Sequence, residues 1–288
     1  MNKSLACASR HARLLLMVGL AAGLLLPDLA NAMAPWLPFM VAALLTITAL
    51  RIGHHAARGA VRDLRWGLGA VVVLQVGVPL TCLALLSMAG LATTPAALAV
   101  ALATSAPTIS GSTNLALLLG LDAGRMMQIM VLGTAAFPLT VLPLLLLLPQ
   151  IGAVQDVLSS AGIVLLVILT ATALGFALRA KLFPAPTAAQ IQSLDGASVL
   201  AFSVIVIALM APLNAALRAD PIQVALWAGL AFTISYGLQA ATLLSLRGSA
   251  LHDVAGPLAI GAGNRNIALF LVALPPETLA PLLIFIGC

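Results

Sequence analysis

The sequence predicts an all-α polytopic membrane protein with about ten transmembrane helices. Of its 288 residues, 62% are hydrophobic and only 7% are charged, whereas about a quarter of the residues in a soluble domain are charged. The mean hydropathy is +1.16. Uncharged runs such as 66–121, 126–155 and 196–217 match or exceed the roughly 20 apolar residues that a membrane helix needs. These runs are continuous and do not alternate as membrane β-strands do, so we expect helices.

The apolar runs divide into ten spans joined by short, often proline- or glycine-containing connections. We expect them at about residues 12–31, 34–53, 66–90, 94–120, 124–149, 155–179, 194–217, 221–247, 250–276 and 278–288. The first apolar stretch follows Lys3, Arg10 and Arg13 and precedes Ala30-Asn31-Ala32, so it is read either as a cleaved signal peptide or as an uncleaved first helix. The last span ends at Cys288, so helix ten is expected to be short or truncated.

Basic residues are distributed unequally between the two sides of this topology. The amino terminus and loops 2–3, 4–5, 6–7 and 8–9 contain eleven of the thirteen Lys and Arg residues. The opposite side has only Arg218, and Arg265 falls inside span nine. Cytoplasmic loops are enriched in Lys and Arg. We therefore expect a cytoplasmic amino terminus and a location in a bacterial inner (cytoplasmic) membrane.

A short motif recurs at an offset of 150 residues. Pro107–Asn114 and Pro257–Asn264 both read P-x-x-x-G-x-x-N, in the fourth helix of each set of five. Two five-helix sets have opposite orientations, which predicts inverted repeats at about 12–149 and 155–288. The motif residues that are expected to break the helices are Pro107, Gly111, Pro257, Gly261 and Gly263. Broken helices expose N–H and C=O groups that bind ions or substrates, although small residues also permit close helix packing.

Arg265 is separated from Asp253 and from Glu277 by eleven uncharged residues on each side. An arginine at that depth costs at least about 2.5–3.5 kcal/mol, and such residues are usually functional. Three interpretations are open: a substrate anion binds the guanidinium, carbonyls of the broken helices satisfy it, or its depth is misassigned. The first predicts substrate binding by Arg265, Asn264, Asn266, Ser112, Thr113 and Asn114.

Other polar residues in the spans give weaker signals. Gln75 and Gln239 either line the same cavity or bridge neighbouring helices. Thr233 and Ser235 are expected to bond to the backbone of their own helix. Gly111-Ser112 resembles a nucleophile, but no membrane histidine or lysine is available as its base, so we do not expect an enzyme.

The three cysteines have no motif spacing. The net charge of +5 comes from basic residues, which in a membrane protein set its orientation in the bilayer. We therefore expect no disulfide, metal site or nucleic-acid partner.

The segments Leu74–Pro79, Pro107–Asn114 and Gly261–Asn266 occur in an order and spacing that resembles the bile acid:sodium symporter family. The resemblance implies ten helices with broken, crossing helices 4 and 9. It also implies a panel of spans 1, 2, 6 and 7 and a core of spans 3–5 and 8–10. Members of that family carry organic anions coupled to sodium.

The resemblance also implies residual ion-site positions and several departures. Gln75 and Ser112 match the family's glutamine and serine, whereas Thr113 stands at its asparagine. Methionines Met126 and Met130 stand where the family has hydroxyls, and Gly261 and Arg265 stand where it has glutamate and glutamine.

These departures predict sodium coupling that is weakened or lost, with no other cofactor. A cation near Arg265 is repelled, and no mid-span acid or histidine is available to carry a proton. The prediction is a secondary transporter of small organic anions by alternating access, through facilitated diffusion or exchange. A channel or a degenerate, non-transporting membrane sensor is the alternative, and oligomeric state is not predicted.

Overall fold

The computed structural model describes residues 3–60, 63–109, 111–148, 151, 154–274 and 276–288. Within those ranges the chain is helical and contains no strand. The helices are α1 (Lys3–Arg10), α2 (Ala12–Leu25), α3 (Pro27–Met33), α4 (Leu37–Ala60), α5 (Leu64–Val72), α6 (Val78–Met88), α7 (Pro95–Ser105), α8 (Ser112–Leu118), α9 (Ala123–Thr140), α10 (Leu142–Leu147), α11 (Val154–Leu182), α12 (Ala188–Ala219), α13 (Pro221–Leu246), α14 (Ala255–Gly263), α15 (Phe270–Ala273), α16 (Pro276–Leu279) and α17 (Leu283–Gly287). A π segment, Val73–Gly77, joins α5 to α6, and the 3₁₀ turns are Ala34–Trp36, His252–Val254, Ile267–Leu269 and Ala280–Leu282. The predicted end of span five, residue 149, lies outside the described residues.

Six helical stretches within the described ranges are long and apolar enough to cross a membrane. They are Pro27–Gly53, Leu64–Met88, Ala123–Leu147, Gln155–Leu182, Ala188–Ala219 and Pro221–Leu246. They coincide with predicted spans 2, 3, 5, 6, 7 and 8. Large apolar side chains point outward from them, with Leu166 65% and Leu226 69% exposed. Water-exposed surfaces do not present such long apolar faces, so these helices indicate an integral membrane protein.

The first predicted span, 12–31, is wrong at its end. Proline disfavours the helical conformation for the residue before it, and Leu26, which precedes Pro27, has φ −118° and ψ 70°. Helix α2 therefore stops at Leu25. Proline is favourable in the first turn of a helix, and the helix that begins at Pro27 continues through a 3₁₀ turn into α4. The connection expected at 31–34 is helical.

The structure contains the two interruptions that the motifs predict. The fourth predicted span is helical over α7, non-helical at the described residues between Ala106 and Gly111, and helical again in α8. The ninth is helical over α14, non-helical from Asn264 to Asn266, and then resumes as short turns. The tenth predicted span contains only the end of α16, the 3₁₀ turn Ala280–Leu282 and the short helix α17.

The chain divides into two units. Unit 1 contains Met1–His55, Leu166–Trp227 and Leu283–Cys288, and unit 2 contains Ala56–Leu165 and Ala228–Leu282.

In unit 1, helix α2 packs closely on α12 through glycines spaced four residues apart. A Cβ atom on Gly19 would lie 2.7 Å from the carbonyl oxygen of Ser203, and one on Gly23 would lie 2.7 Å from the Met210 side chain. Asn214 donates a hydrogen bond from its side-chain Nδ2 to the Gly23 carbonyl at 2.6 Å. Small residues at this spacing let membrane helices approach closely.

Also in unit 1, Arg179 caps the carboxyl end of a helical segment. Gly53 has φ +70°, which glycine adopts without steric cost, and it kinks α4. The Arg179 Nη1 group donates to the carbonyls of Leu50 and Arg51 at 3.0 and 3.1 Å. These carbonyls lie in the last turn before the kink, where α-helical partners are missing. Arg51 also pairs with Asp195 of α12.

In unit 2, the start of α9 is tied to the segment before α5. Arg125 donates from Nη1 to the Asp63 carboxylate at 2.8 Å and to Gln128 Oε1 at 3.1 Å. Its guanidinium lies 4.3 Å from the ring centroid of Trp66. The hydrogen bond from Arg125 lowers the pKa of Asp63 below its ordinary value.

Candidate functional site

The two interrupted segments lie side by side in unit 2 and pair through their backbones. The Ile109 N–H donates to the Asn264 carbonyl at 3.0 Å, and the Asn266 N–H donates to the Pro107 carbonyl at 2.7 Å. Thr108 and Arg265 face each other in an isolated antiparallel bridge. A non-helical backbone inside an apolar protein must find partners for its polar groups. Each interruption therefore satisfies part of the other.

Arg265 is held by carbonyl oxygens from three separate segments. Its Nε donates to Ala262 at 2.8 Å, Nη1 to Ala106 at 2.9 Å and Nη2 to Leu74 at 2.9 Å. We call Arg265 and these three carbonyls the guanidinium site. Among the interpretations open from the sequence, this geometry matches satisfaction by carbonyls of the broken helices.

The carbonyls are available because helices end at the guanidinium site. Ala106 follows the last residue of α7, and Ala262 lies in the last turn of α14. The last four carbonyls of a helix lack intrahelical partners, and its carboxyl end has partial negative charge. Leu74 lies in the π segment, where i→i+5 bonding replaces the α-helical pattern. The three carbonyls are therefore electrically suited to hold a cation, and the guanidinium of Arg265 is that cation.

Every carbonyl in the last turn of α14 has a donor. Ile260 accepts from the backbone and side chain of Asn264, each at 3.0 Å. Gly261 accepts from Thr108 Oγ1 at 3.3 Å, Ala262 from Arg265, and Gly263 from Ser235 Oγ at 2.9 Å. The break leaves the carbonyls of Gly261, Ala262 and Gly263 without helical partners, and a side chain donates to each of them; Ile260 keeps its helical bond and gains a side-chain donor as well.

The guanidinium retains hydrogen-bonding capacity. An arginine has five N–H donors, and three are directed to the site carbonyls. One N–H remains on each of Nη1 and Nη2. Arg265 is only partly buried, and no acidic side chain among the described residues pairs with it. The cation is therefore positioned by the backbone but is not neutralised by a carboxylate.

The structure brings some predicted binding residues to this region and leaves others apart. Asn264 and Asn266 flank Arg265 in the interruption and are partly buried. Ser112 and Thr113 are buried at the start of α8, where the Ser112 hydroxyl has no partner within the described residues and Thr113 donates to the Met130 sulfur at 3.9 Å. Asn114 lies on an exposed face of α8. Their predicted role in substrate binding stays a prediction.

Gln75 bridges neighbouring helices and makes no hydrogen bond to the guanidinium. It is 2% exposed in the π segment, and its Oε1 accepts from Thr140 at the end of α9 at 2.7 Å. Met126 and Met130, which stand at the expected hydroxyl positions, are also buried. A Cβ atom on Gly261 would contact Thr108, Ile129 and Leu74 at 3.4–3.5 Å, so the surroundings of Gly261 are largely apolar.

Two residues that donate to carbonyls in the last turn of α14, Ser235 and Thr108, were not predicted from the sequence. Ser235 bonds to the Gly263 carbonyl, so the expectation that it would bond to its own helix is wrong, whereas Thr233 does bond to its own helix at Gly229. Thr108 was not singled out, although it lies inside the first motif. Gln239 is 3.5 Å from the Ser235 hydroxyl and is partly buried beside Gly263.

Among the described residues, no group of three or more His, Cys, Asp and Glu residues is close enough to hold a metal ion. No model of a known protein family matches the chain, and no curated protein is significantly similar to it.

Proposed function

We propose that this chain is a secondary transporter of small organic anions that works by alternating access. One observation supports it above the others: a cationic side chain with unused donors stands where two interrupted helices meet. In secondary transporters, discontinuous helices at mid-depth form the substrate and ion sites. An arginine inside a membrane domain is a functional candidate as well, because placing a charge there is costly.

The charge of the guanidinium site favours an anion. Three carbonyls orient the guanidinium but supply only partial negative charge, so a net positive charge remains in a region of low dielectric constant. The two remaining N–H groups, one on each terminal nitrogen, suit a carboxylate, sulfonate or similar group. Asn264 and Asn266 add amide groups beside it. The substrate's anionic group is proposed to approach from the partly exposed side of Arg265.

The same charge disfavours a sodium ion at this position. A sodium ion within a few ångströms of the guanidinium is repelled by several kcal/mol at the effective dielectric constant of a protein. The buried thioethers of Met126 and Met130 offer no oxygen ligands, and Gly261 has no side chain. We therefore propose that sodium coupling is weakened or lost, and that Arg265 supplies the positive charge throughout the transport cycle.

The architecture that belongs to this proposal is two inverted five-helix repeats with a panel and a core. The matching motifs in the two interrupted segments and the resemblance to bile acid:sodium symporters support it. The proposal includes a cytoplasmic amino terminus in a bacterial inner membrane, on the evidence of the asymmetric Lys and Arg distribution.

Uptake by proteoliposomes tests the proposal directly. The purified chain is reconstituted, and uptake of radiolabelled benzoate, succinate and taurocholate is measured with sodium or choline outside. We expect saturable uptake of at least one probe above empty liposomes, changed less than about twofold by sodium. This twofold limit corresponds to only about 0.4 kcal/mol of coupling.

Three outcomes contradict parts of this proposal. No uptake of any probe favours the non-transporting alternative. Unsaturable flux with discrete single-channel currents favours a channel. Uptake that rises more than tenfold with sodium rejects the loss of coupling.

A paired substitution tests the role of the arginine in sodium independence. Arg265→Gln combined with Gly261→Glu removes the cation and adds a carboxylate beside the same carbonyls. We expect this double variant to acquire sodium-dependent uptake or sodium-dependent thermal stabilisation. Gly261→Glu alone is the matched control, because it adds the carboxylate while retaining the guanidinium. Equal responses to sodium in both variants would contradict the proposed mapping.

A further inference from the structure

The first two helices of unit 1 meet at nearly a right angle. The axis of α1 is bent by 88° from that of α2. Helix α2 presents large apolar side chains outward, with Leu14, Met17 and Val18 exposed to 55%, 62% and 54%. If α2 enters the bilayer, a helix perpendicular to it runs along the membrane surface. Helix α1 is therefore placed at the level of the lipid headgroups.

Helix α1 is fixed to the protein rather than free to insert. Ala6 and Ala8 are buried, and the carbonyl of Leu5 packs directly against Gly196 of α12. A Cβ atom at Gly196 would overlap that carbonyl. The residue before Gly196 is Asp195, the partner of Arg51. The buried side of α1 is thus small and apolar, and its other side is available to a ligand.

Two arginines stand where the exposed apolar surface begins. Arg10 ends α1, and Arg13 directly precedes Leu14. Both are exposed, and within the described residues neither takes part in an ion pair or a side-chain hydrogen bond. The first 27 residues contain no acidic residue. At about 1.5 Å of rise per residue, the Arg13 backbone lies within a few ångströms of the lipid-facing side chains.

We propose that Arg10 and Arg13 bind the phosphate of an anionic phospholipid. A phospholipid is the ligand that offers both an acyl chain for the exposed face of α2 and a phosphate for two unpaired guanidinium groups. Arginine binds phosphate oxygens bidentately. An anionic headgroup is preferred over a zwitterionic one because no acidic group of this segment balances the two positive charges. This interaction is independent of the transport proposal.

Competition between two lipids with identical acyl chains tests the inference. The purified full chain in detergent is incubated with equimolar phosphatidylglycerol and phosphatidylcholine, and the bound lipids are counted by native mass spectrometry. We expect preferential binding of phosphatidylglycerol and an about thirtyfold loss of that preference in Arg10→Gln/Arg13→Gln. Thirtyfold corresponds to about 1 kcal/mol for each basic residue near the surface. Raising the salt concentration should weaken the preference.

Two control variants separate charge at this site from charge in general. Arg10→Lys/Arg13→Lys keeps the charge and should retain most of the preference. Arg218→Gln removes an exposed arginine from the far end of α12 in the same unit and should leave the preference unchanged. The inference is overturned if both lipids bind equally, if Arg218→Gln has the same effect as the double glutamine variant, or if glycerol phosphate displaces the bound lipid.

A spectroscopic measurement checks the position of α1 independently of lipid retention. Cys7 is exposed on α1, and a bimane label on it in a Cys82→Ala/Cys288→Ala background reports the local environment. Headgroup-spin-labelled phosphatidylglycerol should quench the label more strongly than the corresponding phosphatidylcholine. Equal or absent quenching by the two lipids would contradict a headgroup position beside Arg10 and Arg13.

Discussion

Replacing Arg265 with methionine removes the guanidinium while keeping an unbranched side chain of moderate length. The carbonyls of Leu74, Ala106 and Ala262 then lose their side-chain donor. Each buried polar group left unsatisfied costs about 1–3 kcal/mol, whereas removal of the charge relieves a burial cost of about 2.5–3.5 kcal/mol. At about 2 kcal/mol for each of the three carbonyls, the lost hydrogen bonds cost about 6 kcal/mol. Subtracting the relieved burial cost of about 3 kcal/mol leaves a net loss of about 3 kcal/mol of folding free energy in Arg265→Met.

Unfolding of the purified protein in mixed micelles, followed by circular dichroism against the mole fraction of SDS, measures this loss. Arg265→Lys should be intermediate, because an ammonium group is a point donor that does not reproduce a planar fork bonded to three diverging carbonyls. The control is Arg218→Met, an exposed arginine whose replacement should change stability by less than about 0.5 kcal/mol. If Arg265→Met unfolds at the wild-type SDS fraction, the three hydrogen bonds do not stabilise the interrupted helices and the reasoning is refuted.

The same variants separate a structural role from substrate binding. Arg265→Lys retains a cation, so residual anion uptake with a raised KM is expected when the cation binds the substrate. Uptake that scales only with the folded fraction across the methionine and lysine variants would assign Arg265 a purely structural role.

Two further predictions follow from contacts in unit 2. A Cβ atom on Gly263 would overlap a backbone carbonyl of α13, whereas one on Gly261 would meet its neighbours at 3.4 Å or more. Gly263→Ala should therefore cost about 1–3 kcal/mol of folding free energy. Gly261→Ala should be close to neutral in the same SDS unfolding measurement. Comparable losses in both variants would contradict the packing. The second of these predictions concerns the pH dependence of the Asp63–Arg125 contact. Because the folded-state pKa of Asp63 is lowered, this contact persists at any pH above the ordinary pKa of 3.8 and is lost only as the pH falls through the lower folded-state pKa. Trp66 emission, in a background where the other tryptophans are phenylalanine, should therefore stay constant from pH 5 to 8 and change only in stronger acid, and Asp63→Asn should abolish that titration.

Local sequence signals were sufficient for the positions of most apolar helices and for the two breaks. Predicted spans 3 and 5 coincide with Leu64–Met88 and Ala123–Leu147, because an uncharged run of that length is stable only as a helix in an apolar solvent. Pro107 and Gly261 marked the broken segments, because proline removes a donor and glycine lacks the side chain that restricts the backbone. The same rule, applied to Pro27, would have placed the end of α2 correctly.

Partners distant in sequence could not be read from local patterns. That Arg265 bonds to Leu74 and Ala106, that Ser235 bonds to Gly263 rather than to its own helix, and that Asp195 pairs with Arg51 all depend on which helices pack together. A polar side chain in an apolar interior takes whichever acceptor is within reach, and the sequence does not give that distance. The sequence by itself determined that this chain is made of apolar helices, with a cation inside the second broken one. Only the tertiary structure decided that the cation is held by the carbonyl ends of other segments, because hydrogen bonding acts over about 3 Å whereas these partners are as many as 191 residues apart.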